Sequence, residues 1–66
     1  MQIKVENDSD IIFEGDADDF LYENDNDTDL EIMLNELEEK KDFSKVNAYN
    51  NEGDIVTITK LPLYVD

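Results

Sequence analysis

The sequence lacks cysteine and histidine entirely. Without cysteine there is no disulfide framework, no thiol nucleophile and no zinc–thiolate site. Without histidine the chain lacks the commonest general base and the commonest metal ligand. It also contains no glycine-rich phosphate loop and no Ser–His or Cys–His catalytic pair. Carboxylate pairs alone do acid–base chemistry only in a pocket that separates their pKa values. We therefore expect a protein that is not an enzyme and binds no cofactor.

Long apolar runs are also missing from the sequence. None approaches the about 20 residues that a membrane-spanning helix needs, and no basic-then-apolar leader begins the chain. The anionic lipids of an inner leaflet would repel an acidic protein. We expect no membrane partner and a cytoplasmic location.

Basic residues are scarce. Five lysines oppose 19 acidic residues, which gives a net charge of −14, whereas small domains usually carry a charge of magnitude about 2–8. Residues 5–39 contain fifteen acids and no base, and four of the five lysines follow them. Solubility or adaptation to high salt would explain many acids but not this asymmetry. Because a nucleic-acid binder must neutralise phosphates, we expect no direct binding of nucleic acid, and a basic protein as partner.

The apolar content is sufficient for a folded domain. Nineteen of the 66 residues are Leu, Ile, Val or Phe, above the floor of about 20% below which charged chains remain disordered. A chain of this length forms one domain, so we assign residues 1–66 to a single small acidic domain. Its core is small, and a homodimer or a bound partner would add to its stability.

Several segments have the alternation or β-branched composition of strands. Ile3 and Val5 alternate with polar residues, and Val46 and Ala48 do the same. The predicted strands are residues 1–6, 11–13, 45–50 and 54–60. Gly15 and Asp16 are expected to end the second strand, and Pro62 makes residues 61–65 an edge strand or a docked tail.

One helix is predicted over residues 29–41. Thr28 and Glu31 have the spacing of a capping box, and the apolar residues that follow recur at helical spacing: Leu30, Met33, Leu34 and Leu37. Residues 17–23 fit either a helical turn capped by Asp16 or another strand. The fold class expected is α+β, with a small, mostly antiparallel sheet covered by one principal helix.

A calcium loop is the one metal site that the spacing suggests. Asp25, Asp27, Asp29 and Glu36 occupy positions one, three, five and twelve of an EF-hand-like loop. The sixth position, however, is Leu30, where the sharp turn requires glycine, and the predicted helix begins inside the loop. We therefore expect no dedicated metal site.

Acids recur at every second position in three segments, residues 6–10, 14–18 and 25–31. In an extended backbone, side chains at i and i+2 share a face about 6.6 Å apart, so each segment would present a regular row of anions. Tyr22 lies among these acids and is a candidate interface anchor, because tyrosine is enriched at binding hot spots. The candidate partner-binding residues are Asp8, Asp10, Glu14, Asp16, Asp18, Asp19, Tyr22, Glu23, Asp25, Asp27, Asp29 and Glu31.

In its size, charge and lack of catalytic residues, the chain resembles the phage-encoded DNA-mimic inhibitors, including some anti-CRISPR proteins. The resemblance is compositional and rests on the base-free segment 5–39 and the spacing of its acids. It implies an inhibitor that blocks a host nuclease, CRISPR effector, repair enzyme or transcription factor by mimicking phosphate charge, in the host cytoplasm. The alternatives are an immunity protein or antitoxin that neutralises a basic toxin, and a structural subunit on a basic scaffold.

Overall fold

A computed structural model describes residues 1–62 as one antiparallel sheet packed against two helices. The elements in chain order are β1 (Gln2–Asn7), β2 (Asp10–Asp16), α1 (Ala17–Glu23), α2 (Thr28–Glu38), β3 (Lys45–Tyr49) and β4 (Ile55–Leu61). The strand order is β2-β1-β4-β3, and every neighbouring pair is antiparallel. The predicted α+β class is therefore confirmed, but two helices pack on the sheet where one principal helix was expected.

The core lies between the helices and one face of the sheet. Ile3 and Val5 of β1 are fully buried, as their alternation predicted, and they meet Val56 and Ile58 of β4. Each helix contributes apolar residues at helical spacing to this layer: Phe20 from α1, and Leu30, Leu34 and Leu37 from α2. Burial of apolar area at about 25 cal/mol per Å² is the main stabilising contribution to such a layer.

Residues 17–23, which the sequence left open, form helix α1. The carboxylate of Asp16 accepts a hydrogen bond from the backbone N–H of Asp18 (2.8 Å) and so caps the helix as one alternative expected. The predicted second strand, residues 11–13, is too short: Gly15 and Asp16 do not interrupt it, because β2 extends from Asp10 through both residues and ends at Asp16. The chain passes directly from this strand into the helix.

The predicted boundaries of the principal helix are wrong by one residue at its start and three at its end. Asp27, rather than Thr28, is the N-cap, since its carboxylate accepts from the N–H of Leu30 (3.0 Å). Both residue types are good N-caps, and only the path of the preceding loop selects between them. At the other end the helix stops at Glu38, and the ammonium of Lys60 on β4 donates to the carbonyl oxygens of Glu38 (2.7 Å) and Lys40 (2.6 Å).

The last strand occupies an interior position. Residue Leu61 was expected to begin an edge strand or a docked tail, but it ends β4, which pairs with β1 on one side and β3 on the other. Pro62 follows immediately, so the ladder loses no donor to it. The rest of that prediction, residues 63–65, lies outside the described part of the chain.

Candidate acidic interface

The predicted binding residues fall into two groups in the fold. Eight lie on the helices and the loop between them, and we call this group the helical acidic surface: Asp18, Asp19, Tyr22, Glu23, Asp25, Asp27, Asp29 and Glu31. The other four lie on the β1–β2 hairpin: Asp8, Asp10, Glu14 and Asp16. All eight of the first group are exposed, so their carboxylates are accessible to a partner.

Helix α1 presents an aromatic ring among its acids. Tyr22 follows Asp18 by four residues and Asp19 by three, so the three side chains share one face of the helix. The tyrosine is 76% exposed, although Phe20 and Ala17 on the opposite face of the same helix are buried. This exposed ring remains a candidate interface anchor, because tyrosine is enriched at binding hot spots.

The loop between the helices continues the acidic surface. Asp25 and Asn26 both adopt positive φ (60° and 51°), the left-handed conformation that Asn and Asp tolerate better than most residues. This tight turn brings the end of α1 to the start of α2, where Asp27 is the N-cap and Asp29 lies in the first turn. The carboxylate of Asp27 therefore has a structural function as well as its exposed negative charge.

An open groove runs between α1 and α2. Its floor is formed by apolar side chains, among them Ala17 and Leu34, and its rim carries three carboxylates, from Asp18, Glu31 and Glu38. Glu38 was not among the predicted site residues. Its spacing of seven residues from Glu31, two helical turns, was the signal in the sequence that would have found it. Glu36 and Glu39 on the same helix are also exposed and were likewise missed.

Lysines do not neutralise the helical acidic surface. Among residues 1–62 the structure contains one ion pair, between Lys4 Nζ and a carboxylate oxygen of Glu6 (3.8 Å), both on β1. Lys60 is bonded to the carbonyl oxygens at the end of α2. The base-free segment of the sequence therefore becomes a negative surface whose charge is not compensated within the described part of the protein.

The regular rows of anions predicted for extended backbone are largely wrong. Asp8 has a φ of 51° in the two-residue turn between β1 and β2, and Asp18, Asp29 and Glu31 are helical. In a helix, side chains at i and i+2 do not face each other. The i, i+2 relation survives within β2, where Glu14 and Asp16 lie opposite Lys4 and Gln2. Asp10 begins the same strand.

Glu14 of the hairpin points in another direction from the helical acidic surface. Glu14 lies opposite Lys4, and neighbours across an antiparallel pair share a face. Val5 and Phe13, the next pair, pack toward the helices, so Lys4 and Glu14 lie on the reverse face of the sheet. One flat partner surface would not meet Glu14 and the helical acids together.

Neither a metal centre nor a membrane span is found in the described residues. No group of three or more acidic side chains in residues 1–62 has an arrangement that would hold a metal ion. The EF-hand-like spacing is interrupted because α2 begins at Thr28, the fourth position of that loop. No helix in the same range is both long and apolar enough to cross a membrane.

Comparisons with protein-family models, with curated proteins and with solved structures found no match to this chain.

Proposed function

We propose that this protein is an acidic inhibitor that binds a basic nucleic-acid-binding protein and occupies the groove in which that protein holds a phosphate backbone. The observation that supports this most is the helical acidic surface, where exposed carboxylates surround Tyr22 and no described lysine forms an ion pair with them. A groove built for phosphates presents Lys and Arg side chains. Carboxylates held on two short helices offer those side chains acceptors of the same charge.

The absence of regular extended rows changes how such mimicry would work. The acids are held by helices and a loop, so the match is to the density of negative charge rather than to the spacing of one strand. Long-range attraction would accelerate the encounter, because a surface of one sign steers an oppositely charged partner. Tyr22 would then add a contact that salt does not screen.

Capture followed by competition tests the proposal. The tagged protein is used to capture partners from a bacterial lysate at low salt, and the captured protein is then tested for binding to labelled duplex DNA and RNA. The inhibitor should displace the nucleic acid, and excess nucleic acid should displace the inhibitor. Capture of a basic toxin with no nucleic-acid groove would favour an immunity protein instead, and simultaneous binding of both ligands would contradict mimicry.

A pair of matched variants locates the interface. Asp18→Asn, Asp19→Asn and Glu23→Gln together remove three charges from α1. Glu6→Gln, Glu14→Gln and Asp42→Asn remove three charges from outside this surface. Single exposed charge pairs contribute only about 0.2–1 kcal/mol, so the change is made in clusters. The first variant should weaken inhibition about tenfold or more and the second by much less. If both variants lost the same amount of inhibition, net charge and not this surface would determine binding.

The rates of binding separate the two contributions. Rising salt should slow association of the parent protein with little effect on dissociation, because steering is screened while close contacts persist. Tyr22→Ala should instead speed dissociation, while Phe43→Ala, which removes another exposed ring from the segment before β3, should change neither rate. If Tyr22→Ala also leaves dissociation unchanged, the ring is not an anchor.

A further inference from the structure

The two edges of the sheet differ in ways that bear on binding. The β2 edge carries Asp10, Glu14 and Asp16. The register of its pairing with β1 shifts between Phe13 and Ile11. Charged residues and bulges are the usual protection of an edge against strand addition. The β3 edge is less protected: Lys45–Tyr49 contains one charged residue, Lys45 at its start, and no acid, and its register with β4 is regular throughout.

The hydrogen bonds at its ends establish which backbone groups β3 leaves free. The carbonyl of Ser44 accepts from Lys60 (2.8 Å), and the N–H of Asn50 donates to Asp54 (3.0 Å). Bonding groups alternate along an antiparallel strand, so the even-numbered residues face β4. The backbone N–H and C=O groups of Lys45, Asn47 and Tyr49 therefore point to the open side, where no strand of residues 1–62 pairs with them.

A groove of about 240 Å³ lies beside this edge, under the flank of α2. Its lining includes the half-buried side chains of Met33 and Ala48, with Asp27 and Asp29 on the helix side and Tyr49 on the strand side. Asp29, Met33 and Glu36 follow one another at spacings of four and three residues, so they share this flank of the helix. The groove thus combines an apolar floor with an acidic wall.

We propose that the β3 edge binds an extended segment of a partner protein that carries Lys or Arg at alternate positions. Such a segment would add as a fifth strand, with main-chain hydrogen bonds to Lys45, Asn47 and Tyr49. Its basic side chains on the helix side would lay their aliphatic stems on Met33 and Ala48 and their charges against Asp29. The groove shares Asp27 and Asp29 with the helical acidic surface, but this inference does not depend on phosphate mimicry, since it rests on the open backbone of β3.

The acidic wall also selects among occupants. If a second copy of this chain paired its β3 edge with that of the first, the Asp29 and Glu36 side chains of the two copies would approach one another. Like charges brought together in this way repel. An acidic peptide would meet the same repulsion. A basic strand is the occupant whose charge fits both the wall and the net charge of −14.

A capped heptapeptide of alternating Lys and Thr serves as the probe, with amide hydrogen exchange and titration by NMR as readouts. Exchange at the amides of Lys45, Asn47 and Tyr49 should slow when the peptide binds, while the amides of Val46 and Ala48, already paired with β4, should change little. The same peptide with alternate backbone amides methylated should bind about tenfold more weakly, since each lost hydrogen bond lowers affinity severalfold. An alternating Glu–Thr peptide should show no binding.

Variants of the protein provide the second test. Asn47→Pro removes an outward N–H at a position where an edge strand tolerates proline, and it should weaken binding about fivefold or more. Asn47→Ser is its control, because it changes the side chain and keeps the backbone donor. Asp29→Asn should also weaken binding, whereas Asp19→Asn, with the same change of charge on α1, should not.

Three results would overturn the proposal. Equal affinity for the methylated and unmethylated peptides would show that no strand is added. Protection at β2 would place the peptide on the other edge. If Asp29→Asn and Asp19→Asn lowered the affinity for the peptide equally, the binding would depend on net charge and not on the β3 groove. Because the peptide probe tests β3 and the DNA competition tests α1, either proposal can fail without the other.

Discussion

The side chain of Asn24 connects the end of α1 to the β3–β4 turn. Its Oδ1 accepts a hydrogen bond from the backbone N–H of Asn51 (2.9 Å), and its Nδ2 donates to the carbonyl of Phe20 (2.8 Å). The residue is 6% exposed; its bond to Phe20 is buried and its bond to Asn51 is partly buried. This contact joins two segments 27 residues apart and holds the helical acidic surface against the sheet.

Replacing the side-chain amide of Asn24 should destabilise the protein. We expect Asn24→Ala to lower the free energy of unfolding by about 1–3 kcal/mol, because it removes two hydrogen bonds that each contribute about 0.5–1.5 kcal/mol. Urea denaturation followed by circular dichroism measures the change. Asn35→Ala, at an exposed position of α2, is the control and should change stability by less than about 0.5 kcal/mol. Equal stability of the two variants would contradict the role assigned to Asn24.

The contact between Lys60 and the end of α2 gives a second prediction. A cation at a helix C-terminus interacts favourably with the free carbonyl groups, and here the ammonium donates to two of them. Lys60→Met should therefore lower stability by about 1–2 kcal/mol. Lys41→Met removes the same charge from an exposed position, and comparing the two unfolding curves isolates the contact from the change in net charge. Two superimposable curves would show that the cap contributes nothing.

The N-terminus of α2 distinguishes two adjacent residues. Asp27→Ala should cost about 1 kcal/mol, the usual effect of losing an N-cap, whereas Thr28→Ala should change stability by less than half of that. Thermal melts of both variants measure the two changes in stability. A larger loss for Thr28→Ala would restore the capping box that the sequence suggested and contradict the observed bond from Asp27 to Leu30.

Salt should stabilise the protein. The chain carries a net charge of −14, and one ion pair is present among residues 1–62, so repulsion opposes the compact state. Sodium chloride at a few hundred millimolar shortens the screening length to below about 8 Å and should raise Tm. In the variant with Asp18, Asp19 and Glu23 neutralised, the same salt should raise Tm by less than it does in the parent protein. A Tm that falls with added salt would mean that attractive pairs dominate instead.

Periodicity determined much of the fold in advance. Ile3 and Val5 alternate, and Leu30, Leu34 and Leu37 recur at helical spacing, because a strand and a helix each bury one face against the core. Those patterns are local, so they can be recognised in one sequence. The limits of α2 could not be derived in this way. Asp27 and Thr28 are both favourable N-cap residues, and at the other end Lys60, from a distant strand, donates to the carbonyl oxygen of Glu38.

For the candidate site too, the sequence determined some features and the tertiary structure the others. The sequence by itself determined the excess of acids, the concentration of fifteen of the 19 within residues 5–39 and the presence of Tyr22 among them. The tertiary structure decided which acids share a surface: it turned the expected rows into helices and placed Glu14 on the reverse face of the sheet. It also brought Asp29 on α2 beside the free backbone of Asn47 on β3. The physical reason is that charge composition is a property of the chain, whereas the direction of each side chain depends on backbone conformation and on contacts between distant segments.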